Sequence, residues 1–132
     1  MKKIISTVFM ATMLFACSKN EKLNGNKYIN KSDDNVQISL SFAENEDRLF
    51  GKIVNNYFTT YKTDGNKINY NGIASTMMMG PENAMKVEQQ YFEFMNGKPL
   101  EYEVKDNQLI LKNTNGKTLI FDKVDVIPEV EY

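Results

Sequence analysis

Val36-Gln37-Ile38-Ser39-Leu40-Ser41-Phe42 alternates apolar and polar side chains without a break. Successive side chains of an extended chain point to opposite faces. Such alternation therefore marks a strand with one face on a core and the other toward water. Val36, Ile38, Leu40 and Phe42 are expected to face inward. Working outward, the same two-residue period recurs. Tyr28 and Ile29 open an earlier strand, and residues 49–54 and 57–61 form later, less regular ones. Ile68 and Tyr70 then alternate with Lys67, Asn69 and Asn71 up to Gly72, which reads as a bulge or bend. The charged residues 43–47 and Asp64-Gly65-Asn66 separate these runs as turns.

One segment changes period. Pro81 and Glu82 suit the first turn of a helix, and Asn96-Gly97 followed by Pro99 suits its end. Between them Ala84, Met85, Tyr91, Phe92 and Met95 fall on one face at about 100° per residue. A helix is predicted over about 81–96. Three strands follow: Leu100, Tyr102 and Val104; then Leu109-Ile110-Leu111; then Leu119-Ile120-Phe121. Asp106-Asn107 and Asn115-Gly116 are the hairpin turns between them. The fold class is mainly β, with about eight antiparallel strands in a small barrel-like curved sheet and one packed α-helix. Closure removes the open edges that such a sheet would otherwise carry. Pro128 makes residues 125–132 an edge strand or a tail.

The chain has 132 residues, one cysteine, no histidine and no tryptophan. Without histidine there is no Ser-His-Asp triad, no Cys-His pair and no histidine-based zinc site. A single cysteine leaves no internal disulfide. Catalysis would need paired carboxylates in a cleft, and no such pair stands out, so no enzyme is expected. Nor is any metal or cofactor. The formal net charge is −1 with no basic patch, which argues against a nucleic-acid partner.

The first residues carry a separate signal. Lys2-Lys3 precede a mostly apolar stretch from Ile4 that ends in Leu14-Phe15-Ala16-Cys17. The stretch is shorter than the roughly 20 residues a membrane span requires. It resembles the leader of bacterial lipoproteins, although Phe15 replaces the small residue usual there. The resemblance implies a signal peptide over 1–16 and a thioether-linked lipid on Cys17, with residues 17–26 as acylated terminus and tether. Two or more acyl chains anchor stably where one does not. Loss of the leader removes Lys2 and Lys3 and no acid, so the net charge falls to −3. Ser18 stands where inner-membrane lipoproteins usually carry Asp, which in a cell with an outer membrane implies delivery there.

The body of the chain is similar to the META domain, the family of HslJ-type heat-shock lipoproteins. The similarity rests on Leu23-Asn24-Gly25-Asn26-Lys27-Tyr28, on Phe50-Gly51-Lys52 before Asn55-Asn56 and Tyr57, and on Ile73-Ala74-Ser75-Thr76-Met77-Met78. Pro81, Ala84, Met85, Glu88 and Phe92 match in the helix, and Leu109-Ile110-Leu111, Gly116 and Phe121 in the closing strands. Many members carry Gly-Cys-Asn where this chain has Val54-Asn55-Asn56, and a second cysteine at Gly80. Both thiols are missing here, so no thiol role carries over. The resemblance implies a small barrel-like domain over 27–124 in an envelope protein linked to stress tolerance, secretion or motility. It implies no catalytic residues.

Several residues invite a functional reading. Glu88 falls in the middle of the apolar helix face, between Met85, Tyr91, Phe92 and Met95. A carboxylate there is expected to accept hydrogen bonds from backbone or from Asn56, Ser75 or Thr76, the alternative being a functional acid in a pocket. Tyr57, Tyr61 and Tyr70 sit on strands, where aromatics serve a core more often than a pocket or partner surface. Met77-Met78-Met79, with Met85 and Met95, is expected to pack in the core and its rim rather than bind copper. Asp33-Asp34-Asn35 and residues 44–47 lack the ordered spacing of a calcium loop and read as turns. The expected function is a non-catalytic, lipid-anchored envelope protein that binds a partner, with the membrane engaged through its lipid. The alternative is a barrel that encloses a small apolar ligand.

Overall fold

The alternating stretches are realised as nine strands around one helix in a computed structural model that describes residues 22–32 and 35–132. The leader, Cys17 and Asp33-Asp34 lie outside the described residues. The strands are β1 (Lys27–Lys31), β2 (Gln37–Phe42), β3 (Arg48–Lys52), β4 (Asn56–Asp64), β5 (Lys67–Tyr70) and β6 (Ala74–Ser75). The helix α1 (Glu82–Met95) follows, then β7 (Leu100–Lys105), β8 (Gln108–Lys112) and β9 (Thr118–Val124). Eight of the strands close an antiparallel barrel in the order β3-β2-β1-β9-β8-β7-β5-β4, with β4 returning to β3. The first and last strands pair, Lys27 opposite Val124. The seam between β5 and β7 is short, with only Lys67↔Glu101 and Ile68↔Leu100 in register.

The ninth strand, β6, escapes the sequence pattern because two residues are too few to show a period. It pairs with β4 at Tyr57↔Ser75 and Phe58↔Ala74, beyond the point where β5 leaves that side of β4. It ends the strand order and so has a neighbour on one side only.

The turns follow their chemistry. Asp106 and Asn107 both have positive φ, at 54° and 63°, as a two-residue turn between twisted strands requires. Gly65 and Gly116 supply the left-handed positions of two other turns. The helix begins after Pro81 and ends at Asn96, whose left-handed backbone lets its N–H donate to the Phe92 carbonyl.

The two ends of the barrel differ. One carries the incoming chain: the Asn26 side chain donates to the Lys22 carbonyl, and that of Asn24 reaches Ala43 and Glu46 in the β2–β3 turn. The other end, with the β3–β4 turn at Ile53, Val54 and Asn55, is plugged by α1. Tyr91 meets Tyr57 at 5.3 Å and Phe121 at 6.5 Å between ring centroids, and the Asn113 side chain donates to the Phe94 carbonyl. The interior is filled. Tyr28, Leu40, Leu49, Ile68, Leu100, Leu109, Leu111 and Phe121 are among its fully buried side chains.

Two expectations need adjusting. β2 is buried on both faces, not one: Gln37, Ser39 and Ser41 are covered as well as Ile38, Leu40 and Phe42. The C-terminal tail contributes to this. Gln37 donates its side-chain amide to the Pro128 carbonyl and its backbone N–H to the Tyr132 hydroxyl. Residues 125–132 form no strand; they are a tail bonded to the outside of β2. The helix is also rotated from the expected face. Val87 and Phe94 are buried, whereas Met85 and Phe92 are half-buried on the opposite flank.

Candidate functional site

Glu88 lies at the centre of the buried stripe of α1, between Ala84 and Tyr91, and is 5% exposed. A carboxylate so placed needs donors. Its Oε1 accepts from the backbone N–H groups of Val54 (3.1 Å) and Asn55 (2.7 Å), and its Oε2 from the Asn55 side-chain amide (2.8 Å). The helix is thereby tied to the β3–β4 turn through two backbone N–H groups and the Asn55 side chain, with no bond to Asn56, Ser75 or Thr76. Both carboxylate oxygens are committed. Service as a general acid or base would break the bonds that hold the turn.

Asn55 extends the network. Its amide also donates to the Met78 carbonyl (3.1 Å). Its Oδ1 accepts from the Met78 backbone N–H and from the Thr76 hydroxyl (2.9 Å). Gly80 completes the join, because a Cβ there would lie 2.8 Å from Val54 Cγ1. The β3–β4 turn and residues 76–80 are thus adjacent and are held together by one asparagine.

This fixes the course of residues 76–80 but not their side chains. Met77 and Met79 are 94% and 87% exposed, and Met78 is also exposed. The expected packing of these three methionines in core and rim does not occur, because the preceding residues are taken up by β6 and the backbone is held outward by Asn55. Among the methionines of the described residues only Met95 is buried, and Met85 is half-buried. Between residues 75–80 and α1 runs an open groove of about 1040 Å³. Met77–Met79, Met85 and Phe92 give it apolar surface, Glu82, Lys86, Gln89 and Glu93 a polar wall, and the Glu88–Asn55 pair its base. This volume reaches the upper end of the usual range for ligand sites.

The strand tyrosines fall elsewhere. Tyr57 is buried. Its ring crosses β3 at Gly51, where a Cβ would come within 2.6 Å of the phenol oxygen, so that its hydroxyl donates to the Ser39 carbonyl (2.7 Å). The Tyr91 hydroxyl lies 2.7 Å from it and donates back, since the Tyr57 proton is already used. Tyr70 is buried and donates to the Met95 carbonyl at the last turn of α1. Tyr61 lies 4% exposed toward the end where the chain enters, and its hydroxyl has no hydrogen-bond partner among the described residues. Burial pushes the Tyr61 phenol up to about 12, with Asp47 and Tyr102 adding to it; burial alone raises Tyr70 to about 12. Tyr57 is held well above its ordinary value by burial and then by Tyr91, and Tyr91 is raised by burial. None of the three strand tyrosines lines the groove; the methionines that do carry no period or motif that marks them as exposed.

Among the described residues no group of three or more His, Cys, Asp or Glu is placed to hold a metal ion, and no helix is long and apolar enough to cross a membrane. The META domain profile matches residues 18–126. Two solved structures share the fold. One, titled an NMR structure of the protein from Burkholderia xenovorans, is 18% identical. It covers 79% of this chain and 85% of its own, with a TM-score of 0.61. The other, also an NMR structure of a protein, is 18% identical, covers 76% and 90%, and has the same TM-score. No curated protein matches.

Proposed function

This chain belongs to the META domain family, and on that premise we propose that it is a non-catalytic, lipid-anchored protein of the cell envelope whose barrel binds another envelope protein. The observation that carries this reading is the run Met77-Met78-Met79. Three consecutive apolar side chains stand in water while their backbone is pinned by a buried asparagine. Exposed apolar surface on a fixed frame is the usual mark of a contact site, and methionine adapts its shape to a partner. The anchor rests on the lipoprotein-like leader and Cys17, outer-membrane placement on Ser18, and a role under stress on the resemblance to HslJ-type proteins.

The reading of a small apolar ligand inside the barrel finds no support, since the interior is occupied by side chains. Two measurements test the proposal. Replacing Met77, Met78 and Met79 with serine should leave the melting temperature unchanged and remove specific envelope partners from crosslinked captures in resting or stressed cells. Captures that are the same for both proteins would overturn it. Cys17→Ser should move the protein out of the membrane fraction; continued sedimentation with lipid would overturn the anchor.

A further inference from the structure

The groove is walled on one side by an unpaired strand edge, and the direction of that edge can be worked out. Thr76 donates its backbone N–H to the Asn56 carbonyl, and Met78 donates its N–H to Asn55. Thr76 therefore turns its N–H toward β4, and Met78 turns its N–H toward the β3–β4 turn. In an extended antiparallel strand alternate residues point their N–H and C=O to opposite sides. Ser75 sits opposite Tyr57, one position from the bonded Asn56–Thr76 pair, so its backbone groups point away from β4, and a chain that stays extended past Thr76 presents those of Met77 on the same side. Among the described residues no strand lies on that side of β6. What lies there is the groove, with α1 as its far wall.

The geometry points to β-augmentation: an extended segment of a partner protein adds to the outer edge of residues 75–79 and lies between that edge and α1. This rests on the partner-binding reading above and specifies its form. Main-chain bonds to Ser75 and Met77 would supply register, and alternate side chains would reach the half-buried Met85 and Phe92. The wall residues select further. Glu82 and Glu93 outnumber Lys86, so the preferred occupant carries a lysine or arginine beside otherwise apolar alternate positions.

The other occupants fit less well. The chain enters at the opposite end of the barrel, beside the β2–β3 turn, and β3 and β4 run the barrel's length from there. Between Cys17 and Lys22 the chain spans at most about 18 Å at 3.6 Å per residue, while the nine residues of β4 alone extend about 30 Å. On the lipid-anchor reading, a tether of that length is too short to bring the acylated end from Lys22 to the groove. A second copy would have to bring its own barrel into a recess bounded by α1.

The test uses the full-length acylated protein in lipid nanodiscs, panned against a phage library of random peptides of about ten residues. Selected peptides should carry apolar residues at alternate positions and a basic residue. N-methylation at alternate amides should weaken them at least about tenfold, and methylation of the amides between should not. Ser75→Pro, which removes an outward N–H and no inward bond, should weaken binding by a similar factor with an unchanged melting temperature. No selected peptide, or peptides indifferent to both changes, would overturn the inference. So would a dimer that Ser75→Pro dissociates, which would give the edge to a second copy. If peptides fail while the methionine variant still loses its partner in cells, the partner-binding reading stands and the strand-addition reading falls.

Discussion

Glu88 is the residue on which most of the site depends, and removing it leaves three donors facing a low-dielectric interior. Glu88→Ala is expected to lower stability by about 3 kcal/mol, and Glu88→Gln by about 1–2 kcal/mol because one oxygen remains while the new amide faces that of Asn55. Urea unfolding of both variants checks the order. The importance of this residue was legible in the sequence, since a lone acid amid Met85, Tyr91 and Phe92 on a helix face has to be satisfied. Its partner was not, because Asn55 reads as an ordinary turn residue until the fold brings β3 and β4 to α1. The tyrosines give a second expectation. Their phenols are favoured neutral in the fold, with Tyr61 and Tyr70 raised to about 12 against an ordinary 10. The stability this contributes is complete below pH 10 and is lost as pH rises from 10 through 12. Tyrosinate absorbance followed against pH should show a group of phenols titrating well above 10, together with the loss of structure. Ordinary titration of every tyrosine, with the fold intact, would contradict the burial.

At the scale of elements, the eight strands of four or more residues, alternating or bounded by turns, were readable, and so was the helix between Pro81 and Asn96. What failed was anything depending on a neighbour. The two residues of β6 have no period, and the outer face of β2 is covered by a tail ninety residues away in sequence. The exposure of Met77–Met79 likewise follows from Asn55, not from the methionines. The β7–β8 turn offers a test at this scale. Asn107 holds a φ of 63°, which glycine adopts without the cost that a side chain imposes. Asn107→Gly is expected to raise stability by about 0.5–1 kcal/mol and Asn107→Val to lower it by about 1–2 kcal/mol, measured by thermal melts. Equal melts for the two would show that the turn does not constrain the hairpin.

Over the whole molecule, the antiparallel barrel with its helix could be foreseen because closure is the standard remedy for open edges, whereas the filling of its interior depends on volumes that no linear pattern records. The tail is part of that whole. Deleting residues 126–132 removes the bonds from Gln37 to Pro128 and Tyr132 and uncovers the outside of β2, with an expected loss of about 1–2 kcal/mol in denaturant unfolding. An unchanged midpoint would show that the tail only rests there. The pairing of β1 with β9 has a further consequence. A ribosome finishes the first of these partners long before it begins the second, so the ring stays unzipped until nearly the entire polypeptide has emerged. Such a chain is slow to lock into its final shape and remains threadable through a narrow translocation pore for as long as its last strand is missing.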